Sequence, residues 1–309
     1  AVQRSTGELW KTSGPPIVGP FRPSTARYLS IDISVGGGDI SISQKSYLEE
    51  MLQKGGLCNC KSNGSINLEK EEFLDFDGDE RDVDLSEVRL AQRMAGGLLW
   101  LASRTRPDIS YATSRVAALA TRRPAIALAF GKKVLRYLAG TRGHGIVYER
   151  GEGTDVGAVA VNTFADASFE DVGAQTGVAT YLWDSLVDWR SVRQQTVPLS
   201  TCEAEVNSLA VGEAMQSSMS AILESMMLRI RATLHGDNQA ANQVSSGVGS
   251  WRTRALSTKV NAIRSRVQRG LLDLLYVQTQ EQRADGLTKC GGVQHAARIR
   301  QHFGLRVLV

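Results

Sequence analysis

Apolar residues recur with two different periods along the chain, and the change of period divides it. Between residues 88 and 139 they fall three or four positions apart in three segments, and Pro107 and Pro124 stand where two of these segments begin. This spacing predicts three consecutive amphipathic helices, with each proline in a first turn. After Gly151 the period shortens. Short apolar groups at 159–164, 176–183 and 186–189 then predict three strands joined by short turns.

The first part of the chain has a simpler pattern. Residues 1–25 contain four of the seven prolines and show no sustained period, so they predict an irregular lead-in. Alternating apolar residues on both sides of the glycines at 36–38 predict a β-hairpin. A helical pattern follows over 47–52, and it ends at the glycine pair 55–56.

The segments after the three strands alternate between the two periods. The pattern predicts a long helix over 203–227, a strand from residue 230, helices from residue 239 and over 253–268, a strand over 271–277, and a final helical region. Such an order is typical of an α/β domain in which a mixed sheet of five strands carries helices on its faces.

The expected organisation therefore has three parts. An irregular lead-in occupies 1–25, a small α+β and helical region occupies 26–150 with an acidic linker at 69–87, and the α/β domain occupies 151–309.

Charge is unevenly distributed, although the net charge is only +4. The segment 69–87 has ten acidic and two basic residues, whereas 104–142 has nine basic residues and one acidic residue. A polyanion would meet the second segment first.

The four cysteines form no paired ligand motif, so reduced thiols are expected. No apolar run reaches the roughly 18 residues that a membrane span requires. We therefore expect a cytoplasmic or nuclear protein without a membrane partner. The chain begins at Ala1 without an initiator Met, which suggests a fragment.

Four acidic residues stand where the predicted elements could converge. Asp166 lies in an apolar strand, Asp237 ends another strand, Glu205 lies in the first turns of the long helix, and Asp285 opens a later helix. Taken singly, Asp285 is more typical of a helix cap and Asp237 of a turn. Glu203 competes with Glu205, because residues two apart on a helix point about 200° away from each other and only one can face the sheet.

Together, the four carboxylates predict a metal centre. Their mutual repulsion would be removed by two Mg²⁺ ions, with Mn²⁺ as a substitute, and hard cations prefer oxygen ligands. Two ions about 4 Å apart can activate a water and stabilise the leaving oxygen at a phosphodiester.

A basic segment follows the second of the aspartates. Between residues 251 and 270 there is no acidic residue, and six basic ones could follow a phosphate backbone: Arg252, Arg254, Lys259, Arg264, Arg266 and Arg269. The alternative is a helix surface with ordinary solvated charge.

Several short runs of the sequence form an ordered series of family motifs. In the first half these are YLSIDI at 28–33, ISQKSY at 42–47, GLLWLA at 97–102, TRPDI at 105–109 and KVLRYLAGT at 133–141. In the second half they are FADA at 164–167, LSTCEAE at 199–205, GDNQ at 236–239 and ADGLTK at 284–289. From about Arg27 to Lys289 the chain resembles the Pol polyprotein of copia-type LTR retrotransposons. The first set resembles the end of the reverse transcriptase and the connection, and the second the ribonuclease H domain.

The resemblance implies a ribonuclease H-like five-stranded mixed sheet preceded by a region like the reverse-transcriptase thumb and connection. It implies cleavage of the RNA strand of an RNA/DNA hybrid, with Asp166, Glu205, Asp237 and Asp285 as catalytic metal ligands. The other implied partner is the remainder of a Pol polyprotein. The chain has no Tyr-x-Asp-Asp tetrapeptide, so polymerase activity is not expected from it.

The chain departs from the family pattern at several positions. Ser168, Cys202 and Ala255 stand where the family usually shows Asp, Ser or Thr, and His. No His lies between Asp237 and Asp285, whereas many ribonucleases H use a mobile His ahead of the last Asp to help product leave. Slow or absent turnover is therefore expected. Two alternatives follow: a decayed retroelement remnant that binds nucleic acid without cutting it, and a structural connection module whose tethered domain acts only within a larger polymerase.

Overall fold

The computed structural model describes residues 24–68, 84–149, 157–170, 173–247 and 256–308. Nearly all of the expected lead-in and most of the acidic linker lie outside this part of the chain. The described strands form two five-stranded sheets, and the last strand of the chain belongs to the first of them.

The first sheet begins with the predicted hairpin. Strand β1 (Ser24–Tyr28) pairs with β2 (Ile31–Gly36), and β2 pairs with β3 (Asp39–Ser43), in both cases antiparallel. Gly37 and Gly38 connect β2 to β3 with φ angles of 64° and 96°. A two-residue turn with positive φ at both positions suits glycine, because a Cβ would be strained there. The hairpin prediction is confirmed.

Four helices follow, and their apolar faces form one core. They are α1 (Lys45–Lys54), α2 (Leu85–Ala102), α3 (Ser110–Leu119) and α4 (Pro124–Gly140). Leu98, Val116, Phe130 and Val134 lie fully buried in this core. The three predicted amphipathic helices are therefore confirmed as α2, α3 and α4.

The starts of these helices show local capping. The Asp84 side chain accepts a hydrogen bond from the Ser86 backbone N–H at 2.8 Å and so begins α2. The expected linker therefore ends earlier than residue 87, because its last residues form a helix cap. Pro124 lies in the first turn of α4, whereas Pro107 opens a 3₁₀ turn (Pro107–Ile109) that leads directly into α3.

The second sheet carries the predicted mixed topology. Strands β5 (Val159–Glu170), β6 (Gly173–Leu182) and β7 (Ser185–Arg193) are antiparallel neighbours. Strands β8 (Ile230–Gly236) and β9 (Asp273–Tyr276) continue the sheet on the other side of β5 and run parallel to it. This order, with the first strand of the domain in the middle, is the ribonuclease H-like sheet expected from the element pattern.

Helices and the C-terminal segment cover the two faces of this sheet. The long helix α5 (Thr201–Ser225) packs on one face through Val206 and Leu209, beside α6 (Gln239–Ser246) and α7 (Ser257–Gln268). The other face is covered by the 3₁₀ turn Asp285–Leu287 and by α8 (Val293–His302). Apolar residues on both faces explain why Ala165 and Phe164, neighbours in β5, lie in different cores.

The C-terminal end of the chain joins the two sheets. Strand β10 (Leu305–Val307) pairs with β4 (His144–Tyr148) of the first sheet. The Trp189 indole N–H on β7 also donates to the Ala102 carbonyl at the end of α2, at 2.7 Å. The final strand was not foreseen from the sequence, because three residues carry no readable period and only the partner strand orders them.

No helix in the described part of the chain is long and apolar enough to span a membrane.

Candidate metal centre

Two of the four proposed ligands lie on adjacent parallel strands, Asp166 within β5 and Asp237 directly after β8. The pairing of β5 with β8 reaches Phe164 opposite His235, and Asp166 and Asp237 each follow by two residues. Asp166 is only 6% exposed, and Asp237 is partly buried just beyond the end of β8. Parallel pairing in this register therefore brings two carboxylates to the same edge of the sheet.

The start of α5 separates the two competing glutamates. Ser200 caps the helix by accepting the Glu203 backbone N–H at 3.1 Å, and the Glu203 carboxylate accepts the Leu199 N–H at 2.8 Å. Glu203 therefore serves the helix N-terminus, in an arrangement that differs from the capping box because its carboxylate reaches the residue before the N-cap. Glu205 points toward the sheet, is 9% exposed, and accepts a hydrogen bond from the Ala167 backbone N–H.

Asp166, Glu205 and Asp237 converge on one point. Each offers a carboxylate oxygen, and the three oxygens lie within 4.8 Å of one another. An all-oxygen, all-anionic donor set of this size suits a hard divalent cation such as Mg²⁺ or Mn²⁺. The donor chemistry therefore fits the metal centre expected from the sequence, for three of its four residues.

Burial and mutual repulsion strongly perturb two of these carboxyls. Burial, reinforced by the charges of Asp166 and Asp237, raises the pKa of Glu205 to about 9. Burial also raises the pKa of Asp166 to about 6, with contributions from the charges of Asp237 and Asp285. Hydrogen bonds from Ser208 and Thr288 oppose these two increases. Without a cation, the cluster holds protons that a divalent ion would displace.

These pKa values predict how stability depends on pH. A carboxyl whose folded pKa lies above its ordinary value stabilises the fold below that ordinary value, and this contribution is lost as pH rises through the folded pKa. We therefore expect the metal-free protein to lose stability between about pH 4 and about pH 9, by at most about 1.4 kcal/mol per pH unit for each carboxyl. Mg²⁺ should restore stability, and more so at higher pH. Thermal denaturation with and without Mg²⁺ measures this, and Glu205→Gln should flatten the pH dependence. A melting temperature that changes neither with pH nor with Mg²⁺ would contradict the prediction.

A threonine from the C-terminal segment orients Asp166. The Thr288 hydroxyl donates a hydrogen bond to Asp166 Oδ2. This approach depends on Gly177, which pairs with Asp166 in β6. A Cβ at Gly177 would lie 2.7 Å from Thr288 Cγ2 and 2.8 Å from Leu287 Cβ. Glycine at this position therefore makes room for the segment that contacts the site.

Asp285 lies beside the other three carboxylates but outside their group. Its charge contributes to the raised pKa of Asp166, so the two are electrostatically coupled. Asp285 lies in a single 3₁₀ turn and does not open a helix, which corrects the prediction from sequence. Helix α8 begins only at Val293, because the glycines at 291 and 292 interrupt the chain after the turn.

Three basic side chains surround Asp285, and the sequence did not point to any of them. Lys289 Nζ lies 2.5 Å from one carboxylate oxygen, and Arg298 and His295 lie 3.4 Å and 3.5 Å from the other. Lys289 stands in the motif at 284–289, so its presence was visible but its contact was not. His295 follows the last aspartate instead of preceding it, and a search for a histidine between the aspartates passes over it.

The basic segment proposed to bind nucleic acid is partly engaged within the protein. Lys259 donates to Asn207 at 2.7 Å, Arg264 donates to the Val244 carbonyl at 2.6 Å, and Arg266 contacts Glu213 and Gln216 at 3.1 Å and 2.6 Å. Arg269 is exposed at the end of α7. Arg252 and Arg254 lie outside the described residues. These contacts of Lys259, Arg264 and Arg266 within the protein differ from the ordinary solvated charge of the alternative, and nucleic-acid binding by this segment stays a prediction.

Comparison with known proteins gives a consistent set of relatives. The chain is 28% identical over 269 residues to the retrovirus-related Pol polyprotein from transposon RE1 of Arabidopsis thaliana, covering 85% of the chain and 18% of the relative. It is 28% identical over 272 residues to the polyprotein from transposon RE2, with the same coverage. For transposon TNT 1-94 of Nicotiana tabacum it is 25% identical over 258 residues, covering 80% of the chain and 19% of the relative. The chain thus spans about a fifth of these relatives. No family model matches it.

Solved structures of ribonucleases H align with somewhat less than half of the chain at low similarity. The N-terminal RNase H domain of a Mycobacterium tuberculosis protein is 18% identical with a TM-score of 0.34, covering 46% of this chain and 98% of that one. LC11-RNase H1 in complex with an RNA/DNA hybrid is 14% identical with a TM-score of 0.33, covering 45% and 99%. Because these TM-scores are low, the fold is assigned from the strand pairing described above and not from these structures.

These three sequence relatives are Pol polyproteins of plant transposons, in agreement with the motif series. The second sheet has the strand order and connections of the domain that the second half of this series indicated. Over most of its length the chain is therefore similar to retrovirus-related Pol polyproteins of plant transposons, and its second sheet has the ribonuclease H-like fold.

Proposed function

We propose that this domain hydrolyses the RNA strand of RNA/DNA hybrids with the help of divalent cations. The observation that carries the proposal is the convergence of Asp166, Glu205 and Asp237 within 4.8 Å. Carboxylates seldom gather in a largely buried position without a cation or protons to offset their repulsion. In a chain related to Pol polyproteins, the matching substrate is a phosphodiester. Its hydrolysis is assisted by two divalent cations bound close together.

The proposed ligands are Asp166, Glu205 and Asp237, with Asp285 as the fourth, and the ions are Mg²⁺ with Mn²⁺ as a substitute. When bound, the ions would supply an activated water and charge stabilisation for the phosphate and the leaving oxygen. The chain's own groups set the geometry. Thr288 fixes one oxygen of Asp166, while Ser208 and the Ala167 N–H hold Glu205. Fixed ligand orientation of this kind typically changes metal affinity or activity by about 10–100-fold.

A hybrid-cleavage assay tests the proposal. The purified chain is incubated with a hybrid labelled on its RNA strand, in Mg²⁺, in Ca²⁺ or in EDTA. We expect cleavage with Mg²⁺ only, because Ca²⁺ accepts looser coordination and positions the reacting groups poorly. Asp166→Asn is the control, since it keeps the shape of the side chain and removes its charge. Equal cleavage by both proteins, or by neither, would contradict the proposal.

The same assay distinguishes the second candidate, a decayed remnant that binds nucleic acid without cutting it. The ring of basic groups around Asp285 favours this candidate, because it competes for one of the proposed ligands. Hybrid binding measured in Ca²⁺, together with no cleavage in Mg²⁺, would support the remnant. Failure to bind under either ion would contradict both candidates.

A further inference from the structure

One cation of the protein already lies among the proposed metal ligands. Lys289 Nζ contacts Asp285 Oδ1 at 2.5 Å, four residues along the chain, and the side chain is 49% exposed. The Lys289 ammonium group also interacts electrostatically with Asp166 and Asp237 of the three-carboxylate cluster.

The two sides of the carboxylate site differ in their counter-ions. On the side of Asp166, Glu205 and Asp237, three carboxylate oxygens lie within 4.8 Å of one another, so the groups that line this side are acidic. On the other side, Arg298 also approaches Asp285, at 3.4 Å. A divalent ion that binds the cluster is surrounded mainly by carboxylates. A divalent ion that binds Asp285 must instead compete with the Lys289 ammonium for the same oxygen and lie close to the Arg298 guanidinium.

We propose that Lys289 acts as a built-in cation on the Asp285 side, so that the protein without nucleic acid binds one divalent ion tightly and a second ion must displace Lys289. The inference rests on the proposed function, because it assumes metal binding by these carboxylates. A lysine suits this role, since its flexible stem can swing a compact charge aside without disturbing the backbone. A phosphate of the substrate would then give the displaced ammonium a new anionic partner, which couples arrival of the second ion to arrival of substrate.

Counting bound ions on the full chain without nucleic acid tests the inference. Mn²⁺ is counted by electron paramagnetic resonance and Mg²⁺ binding is measured by calorimetry, for the wild type, Lys289→Met and Lys289→Arg. We expect one tight ion in the wild type and in the Arg variant. In Lys289→Met the affinity for a second ion should rise about tenfold, because a like charge near that ion has been removed. Lys289→Gln provides a second neutral variant, and circular dichroism checks that each variant is folded.

Lys54→Met is the matched control. Lys54 makes an ion pair with Glu50 at the same four-residue spacing, at 2.6 Å, but on the surface of α1 and 75% exposed. It should change neither the number nor the affinity of bound ions.

The outcomes separate the two proposals. If the wild type and both neutral variants bound the same number of ions with the same affinity, the role of Lys289 would be overturned and the metal centre would be retained. The same conclusion would follow if Lys54→Met changed ion binding as much as Lys289→Met does. Binding of no ion by any protein would overturn the metal centre itself.

Discussion

Replacing Glu205 by glutamine is expected to reduce cleavage of an RNA/DNA hybrid by about a thousandfold or more. Glutamine preserves the size of the side chain but removes one of three anionic donors, so the site would hold a cation weakly and misplace it. Cations at a phosphoryl centre contribute several kcal/mol of transition-state stabilisation, and about 4 kcal/mol corresponds to a thousandfold change in rate. Single-turnover rates at saturating hybrid would measure the loss in the chemical step, separately from substrate binding.

Glu203→Gln is the matched control for this prediction. Glu203 is two residues away on the same helix, but its carboxylate contacts the Leu199 N–H at the N-terminus of α5. We expect Glu203→Gln to lose a few tenths of a kcal/mol to about 1 kcal/mol of stability and to keep its cleavage rate. Equal loss of activity in both variants would contradict the assignment of Glu205, and so would full activity of Glu205→Gln.

Replacing Asp108 by alanine is expected to lower the free energy of unfolding by about 3–5 kcal/mol. Asp108 and Arg106 form a two-point ion pair at 2.8 Å and 2.9 Å, and their side chains are 1% and 3% exposed. Tyr137 also donates its hydroxyl to Asp108, at 2.7 Å. Removal of the carboxylate would leave a buried guanidinium without its counter-ion, which costs far more than the pair contributes when intact. Chemical denaturation would measure the loss.

Two further variants distinguish this explanation from a general loss of packing. Glu50→Ala breaks the exposed pair with Lys54 and should cost less than about 1 kcal/mol. The double replacement Arg106→Met with Asp108→Leu should be less destabilising than Asp108→Ala alone, because no unpaired charge is left buried. If the double variant were the less stable one, the buried charge would not be the cause.

The buried pair also links the helical region to the candidate metal centre. Arg300 on α8 donates to the Tyr137 hydroxyl at 3.0 Å, and Arg298 on the same helix contacts Asp285. Strand β10, which follows α8, completes the first sheet beside β4. A fragment that starts at residue 151 would lack β4, Tyr137 and Asp108. The position of α8 beside the site therefore depends on residues that the sequence assigns to the preceding region.

Much of the site was accessible from sequence, and the structure shows why. Asp166 stands within one strand and Asp237 directly after another, both strands have a readable period, and parallel pairing then places the two residues together. Glu205 was harder, because Glu203 satisfies the same helical pattern. The choice depended on the motif series, and the cap at Ser200 supplies the physical reason. Asp285 was proposed on its motif, yet it lies in a 3₁₀ turn among three basic groups.

The sequence by itself determined most of the helices and strands, their order, the resemblance to Pol polyproteins and the candidate acidic residues, because periodicity, capping and motifs are properties of neighbours along the chain. The tertiary structure decided which groups meet. Thr288 contacts Asp166 across 122 positions, and β10 finds β4 only when the whole chain has folded. The tertiary structure also gave Arg264 and Arg266 partners within the protein and placed Lys289 in contact with Asp285. Such contacts depend on the packing of distant elements, where charge and shape are matched in space and leave no period in the sequence.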